Sequence, residues 1–251
     1  MDMDVTVSVL VLFGLVGASF MFRRRGPSPR VLATLAASVN RMRQLADRDT
    51  TYRAVDASAI AALGATDYYN AAAREIQQAG GRVLGDLAEV YPNGTLTQPA
   101  RWFVDGTGTA CGWFAILGGA TGKAVRQVMF VTSETADGEY YTTGRGGAGS
   151  STATSPKHHL AECRWADGLA RQLEVHRAQI PPDKLPTLAR ISTLDDATAL
   201  FARSKKAKAA WRAAQPAGAL LDLDLQQILQ DRYPTFGAPL QKYIQEHPAG
   251  P

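Results

Sequence analysis

Hydrophobic residues change their spacing along the chain, and the changes predict its secondary structure. After Ser28 and Pro29, which suit the start of a helix, apolar residues recur every three or four positions to about residue 47. The same spacing predicts a second helix over 67–79, with Thr66 as its cap and a pair of glycines as its stop. The next 60 or so residues alternate apolar and polar side chains, which is typical of strands. We expect these strands at 83–90, 101–105, 109–117, 125–133 and 139–143.

Turn sequences such as Asp105-Gly106 and Asp137-Gly138 separate the predicted strands. Asp-Gly between alternating segments favours a hairpin because both residues tolerate positive φ. The economical arrangement is therefore an antiparallel meander of four or five strands. Residues 109–117 carry apolar side chains on both faces of the predicted strand, so we expect this strand at the centre of the sheet.

Helical patterns return after a glycine- and serine-rich stretch at 144–155. Pro156 suits a helix start, and the apolar spacing that follows predicts a helix to residue 180. Further helices are predicted at 193–214, 220–231 and 239–246. The expected fold class is α+β, with helices flanking a mostly antiparallel sheet and a helical C-terminal extension.

The first 22 residues contain an uncharged run of 18, at 5–22, followed by Arg23, Arg24 and Arg25. A helix of this length spans about 27 Å, close to the ~30 Å hydrocarbon core of a bilayer. A cleaved signal peptide is disfavoured, because the chain begins Met-Asp-Met-Asp and has no small-residue cleavage site before the arginines. The run therefore predicts a single transmembrane anchor. The arginines predict an N-terminus outside and a cytoplasmic domain.

These features divide the chain into four parts: an N-terminal tail and anchor (1–22), a basic linker (23–30), an α+β domain (31–185) and a helical extension (186–251). Gly14 and Ala18 form a small-xxx-small motif, which could let two anchor helices pack closely, so a homodimer is one option. Arginine outnumbers lysine 20 to 7, as in GC-rich bacterial genomes. We therefore expect a bacterial inner-membrane location, with the lipid bilayer as a partner.

The net charge of +4 is local rather than spread over the surface. Residues 1–30 carry +2, residues 31–185 carry none, and residues 186–251 carry the other +2. A nucleic-acid-binding protein usually has a broad basic face, so no nucleic-acid partner is expected. The 45% hydrophobic composition excludes a disordered chain, and two cysteines exclude a disulfide framework.

The C-terminal charge lies mostly in a basic run within the predicted helix 193–214. Lys205, Lys208 and Arg212 fall on one helical stripe, and Trp211 lies on the neighbouring apolar one. A basic amphipathic helix with a tryptophan can contact anionic lipid headgroups. The alternative is a helix packed on the domain with its basic side in water.

The motifs that resemble cofactor sites lack the structure that those sites need. Residues 144–149 match GxGxxG, but no helix follows directly to bind a pyrophosphate. Residues 118–123 resemble a phosphate loop with one residue too few between its glycines. His159 and Cys163 lie four residues apart in the predicted helix, which makes them weak catalytic candidates and too few ligands for a metal site. We expect no cofactor and no metal.

No motif in this sequence indicates a particular reaction. We expect a membrane-anchored protein whose α+β domain is a non-catalytic binding or scaffold module for a protein partner or a small ligand. The alternative is a membrane-tethered hydrolase with a pocket near the sheet and the predicted 156–180 helix.

Overall fold

All strands belong to one sheet, in which each strand lies next to the one that follows it in the sequence. The computed structural model describes residues 27–47, 50–90, 94–97, 99–118, 125–146 and 152–248. The seven strands are β1 (Thr51–Ala54), β2 (Arg82–Val90), β3 (Ala100–Val104), β4 (Cys111–Gly118), β5 (Val125–Glu134), β6 (Tyr140–Arg145) and β7 (His158–Cys163). Strands β1 to β6 pair antiparallel, whereas β7 runs parallel to β6.

Seven α-helices accompany the sheet among the described residues. They are α1 (Pro29–Asp47), α2 (Ala57–Ala62), α3 (Thr66–Gln78), α4 (Gly168–Ala178), α5 (Leu194–Ala213), α6 (Ala217–Leu229) and α7 (Tyr233–Glu246). Capping explains where α5 begins: the Thr193 side chain accepts the Asp196 N–H, and the Asp196 carboxylate accepts the Thr193 N–H in return.

Helices cover both faces of the sheet. On one face, α3 buries Tyr69, Ala72 and Ile76, spaced three and four residues apart, against a cluster that includes Phe103 and Phe114. On the other face, residues early in α5 pack with residues of β2, β3 and β4. Because both faces are covered, β4 is buried on both sides, as its sequence pattern predicts.

A third cluster lies away from the sheet and joins α1, α6 and α7. Val39, Leu225 and Leu240 are fully buried in it, one from each helix. The first helix after the predicted linker therefore packs against the last two of the chain. The α+β class is confirmed. Helices α1, α6 and α7 share a hydrophobic core that is separate from the core of the sheet.

The predicted sheet of four or five antiparallel strands is wrong, because the sheet has seven strands and is mixed. Strand β1 is only four residues long and none of them is fully buried, so its short Thr-Tyr-Arg-Ala alternation gives little strand signal. The sequence pattern predicts that the residues of β7 begin a helix over 156–180, and this prediction is wrong. That stretch is instead a strand, a short 3-10 turn (Trp165–Asp167) and helix α4.

Gly168 separates these elements. Its φ of 74° and ψ of 168° fall in a region that only glycine adopts without strain, so the chain can turn there from the 3-10 segment into α4. The apolar spacing of Leu160, Cys163 and Leu169 fits a helix by number alone. In the structure Leu160 is an exposed residue of an edge strand, whereas Leu169 is a buried residue in the first turn of α4.

The predicted transmembrane helix is not part of the fold observed. Residues 5–22 lie outside the described residues, as do Gly14, Ala18, Arg23, Arg24 and Arg25. Across the stretches that the structure covers, no helix is both long enough and apolar enough to cross a bilayer.

Candidate functional site

His159 and Cys163 lie on strand β7 rather than on a helix. Four residues along a strand correspond to about 13 Å, so the imidazole and the thiol are not a reacting pair. His159 Nε2 lies 3.1 Å from a Glu139 carboxylate oxygen, and its ring stacks on Tyr141. Burial, and then the charge of Asp167, raise the pKa of the Cys163 thiol, which disfavours the thiolate. The two residues therefore do not form a nucleophile and its base.

Another histidine, His176, is buried with hydroxyl partners on both ring nitrogens. Its Nε2 lies 2.9 Å from Ser133 Oγ, and its Nδ1 lies 3.1 Å from Thr143 Oγ1. Burial lowers the pKa of His176 to about 4, so its imidazole is neutral at pH 7. Ser133 Oγ donates to the Thr109 carbonyl, 2.7 Å away, and Ser133 is buried. This serine and histidine join the sheet to α4 and lie where no substrate reaches them.

The basic stripe of α5 points into the molecule. Arg212 is 1% exposed, and its guanidinium binds Asp224 at 2.6 Å and Asp47 at 2.5 Å. Lys208 Nζ donates to Thr152 Oγ1 at 2.7 Å, and burial lowers the pKa of this lysine to about 8.

The other two residues predicted to contact lipid, Lys205 and Trp211, are also partly buried. The Lys205 ammonium contacts Thr50 Oγ1 and lies 3.8 Å from a Glu89 carboxylate oxygen, and Trp211 is half-buried. Lipid contact by α5 stays a prediction, but the cations it would use already have partners. Sequence reasoning missed these partners because they lie up to 165 residues away. One signal was present: Asp224 is an acid within an apolar helical run.

No group of three or more histidine, cysteine, aspartate or glutamate side chains among the described residues is placed to hold a metal ion. Of the two glycine-rich motifs, Gly144 and Arg145 belong to β6, while 147–149 and 119–123 lie outside the described residues.

A polar pocket opens where β2 begins and β3 ends, and it is called here the Asp105 pocket. Its volume is about 320 Å³. Cavities that hold small ligands in proteins start at about 300 Å³. The lining residues come from three segments of the chain: Gly80, Arg82, Val104, Asp105, Gly106, Thr107, Gly108, Arg190, Ile191 and Ser192.

The floor of the pocket is a tight turn held by the Asp105 carboxylate. Oδ1 accepts the N–H groups of Thr109 and Ala110, each at 3.0 Å. Oδ2 accepts the Thr107 hydroxyl at 2.6 Å and an Arg177 N–H at 3.1 Å. Burial would raise the pKa of Asp105, but these hydrogen bonds outweigh it and hold the pKa below its ordinary value. The carboxylate is therefore ionised and its oxygens are fully used.

Glycine is required at two positions of this turn. Gly108 has a φ of 69°, in the left-handed region that other residues avoid. Gly106 lies so close to the end of α3 that an added Cβ would be 2.7 Å from the Gly80 carbonyl oxygen. These positions keep side chains out of the turn, and the space beside it stays open.

Arg82 and the segment 190–192, which contains Arg190, form the wall of the pocket. Arg82 donates to the Ser192 carbonyl at 2.5 Å, and Arg190 donates to the Thr107 carbonyl at 2.7 Å. The Ile191 N–H donates to the Gly108 carbonyl at 2.9 Å. The sequence indicated a turn at Asp105-Gly106, but it gave no sign that residues from β2 and from the stretch before α5 meet there.

Comparisons of the chain with protein-family models, with curated proteins and with solved structures found no match.

Proposed function

We propose that the chain is a non-catalytic binding module that holds a small polar ligand in the Asp105 pocket. The observation that carries this proposal is the pocket itself. It is about 320 Å³ in volume, is lined mostly by polar groups and backbone, and is kept open by glycines.

The rigidity of the pocket supports a binding role. The Asp105 carboxylate fixes the turn with three hydrogen bonds and joins it to Arg177 of α4 with a fourth, and Arg190 and Ile191 fix the opposite wall to the same turn. A preformed site loses less conformational entropy when it binds a ligand than a flexible one does.

The roles of the candidate catalytic groups support a non-catalytic function. His176 and Ser133 are buried structural partners, His159 pairs with Glu139, and the pKa of Cys163 is raised. None of these residues lines the Asp105 pocket. A hydrolase with its site near the 156–180 segment finds no specific support in these contacts. Attachment to a membrane and binding of a protein partner stay predictions from the sequence.

A thermal-stability screen tests the proposal. The full-length chain is heated with 10 mM inorganic phosphate, succinate, glucose or putrescine, which cover anionic, neutral and cationic polar ligands. A ligand at ten times its Kd stabilises a protein by about 1.4 kcal/mol, which raises Tm by about 3–5 °C in a chain of this size. We expect at least one compound to raise the Tm of the wild type.

A pocket-filling variant locates the effect. Ser192 is exposed, and its side chain makes no hydrogen bond among the described residues, so Ser192→Trp adds bulk at the pocket at little cost elsewhere. Ala199→Trp, on the exposed side of α5, is the matched control. The Tm increase should disappear in Ser192→Trp and persist in Ala199→Trp. No increase with any compound, or an equal increase in both variants, contradicts the proposal.

A further inference from the structure

We infer that the ligand of the Asp105 pocket carries an oxyanion, a phosphate or a carboxylate, that is bound between Arg82 and Arg190. This inference rests on the proposed function and names the chemical class of the ligand. It depends on which hydrogen-bond donors of the pocket are still unused and on the balance of charge around them.

Most hydrogen-bond donors of the two pocket arginines have no partner among the described residues. Arg82 and Arg190 each make one hydrogen bond within the described chain, and both go to backbone carbonyls. A guanidinium has five N–H donors in a planar fork that matches carboxylate and phosphate oxygens. Gly106 and Thr107 in the turn also donate their backbone N–H groups to no described residue. Consecutive backbone N–H groups of this kind commonly bind anions.

The one acid that lines the pocket does not neutralise these arginines. The Asp105 side chain is 1% exposed, and each of its oxygens already accepts two hydrogen bonds. One of the four comes from Arg177, whose charge balances that of Asp105. Arg82 and Arg190 therefore leave the pocket with a surplus of positive charge.

The carboxyl end of α3 opposes an anion only weakly. The last turn of this helix leads to Gly80 at the pocket, and a helix C-terminus carries about half a negative charge. Two guanidinium groups carry about two positive charges. The sum stays positive by more than one charge and favours an anionic ligand.

Calorimetric titration of the full-length chain with inorganic phosphate and with succinate tests the inference. Arg82→Gln and Arg190→Gln remove one charge each at nearly the same size. Arg53→Gln is the control, because Arg53 is an exposed residue of β1 whose side chain has no bond to a described residue. We expect at least one anion to bind the wild type, and each pocket variant to bind it at least ten-fold more weakly. The affinity of Arg53→Gln should stay within two-fold of the wild type.

Two further measurements keep the result interpretable. Circular dichroism and Tm show whether each variant is folded, and Arg190→Lys, which keeps the charge, should bind more tightly than Arg190→Gln. Binding of phosphate alone or of succinate alone supports the inference and identifies the anion. Equal affinity in the wild type and both glutamine variants overturns it.

The two proposals fail in different ways. If glucose or putrescine stabilises the wild type but not Ser192→Trp, and neither anion binds, the pocket is a ligand site and the oxyanion inference is wrong. If no compound raises the Tm of the wild type in a way that Ser192→Trp abolishes, the proposed function is wrong as well.

Discussion

Buried polar side chains set the pH response of this protein because their partners are fixed by the fold. His176 is the clearest case. It lies between the Ser133 and Thr143 hydroxyls, and burial lowers its pKa to about 4 from an ordinary 6.5. In the unfolded chain the imidazole binds a proton below pH 6.5, whereas in the folded chain it does so only near pH 4. Stability is therefore full above pH 6.5 and falls as the pH drops from 6.5 toward 4.

We expect His176 to remove about 2 kcal/mol from the free energy of unfolding between pH 7 and pH 5. Urea unfolding at several pH values measures this loss. A His176→Gln variant should be less stable at pH 7 but should lose less stability on acidification. The exposed His247 serves as a control, since His247→Gln should keep the wild-type slope. If His176→Gln has the same slope as the wild type, His176 does not set the pH response.

Asp224 is a second residue whose burial has a measurable consequence. It is fully buried and accepts hydrogen bonds from Arg212, Arg43 and the Ala153 N–H. Asp224→Ala leaves the buried Arg212 with only Asp47 as a charged partner. Breaking a buried ion pair from one side typically costs 3–5 kcal/mol, so we expect a loss of about that size. Asp231→Ala, at an exposed site, should change stability by less than about 0.5 kcal/mol in urea unfolding. A loss below about 1 kcal/mol for Asp224→Ala would contradict this assignment.

At the level of whole elements, periodic spacing predicted long amphipathic helices and central strands well. The prediction of α1 over 29–47 matches its observed limits, and strands β2 to β6 lie within a few residues of the predicted ones. These elements bury one face or both, so the burial is visible in the sequence. Edge strands β1 and β7 escaped prediction because none of their residues is fully buried, so no buried face marks them in the sequence.

Gly168, between β7 and α4, has a backbone conformation whose importance for the change from strand to helix can be measured. Gly168→Ala places a Cβ at φ 74° and ψ 168°, which costs on the order of 1–3 kcal/mol. Gly218→Ala in α6 is the matched substitution, because Gly218 has open space around its Cβ position and lies in a helix. We expect Gly218→Ala to stabilise the protein by up to about 1 kcal/mol. Equal effects of the two substitutions in urea unfolding would show that Gly168 is not conformationally required.

For the molecule as a whole, the fold brings together a site that no local pattern reveals. The Asp105-Gly106 turn is recognisable as a turn, and the predicted hairpin there is observed between β3 and β4. Arg82 and Arg190 are separated by more than 100 residues, and neither lies in a motif. Their meeting depends on the path of the segment before α5, which tertiary hydrogen bonds fix to the turn. For the same reason the basic stripe of α5 could not be assigned to the interior from sequence alone.

Amide chemical shifts test, at the site itself, whether the Asp105 pocket binds a small ligand. The isotope-labelled full-length chain is titrated separately with inorganic phosphate, succinate, glucose and putrescine. We predict that the amide signals of Gly106, Thr107 and Gly108 move with saturation, and that Gly138 in the comparable Asp137-Gly138 turn does not. Unchanged signals at the three pocket residues, or an equal change at Gly138, would contradict the claim.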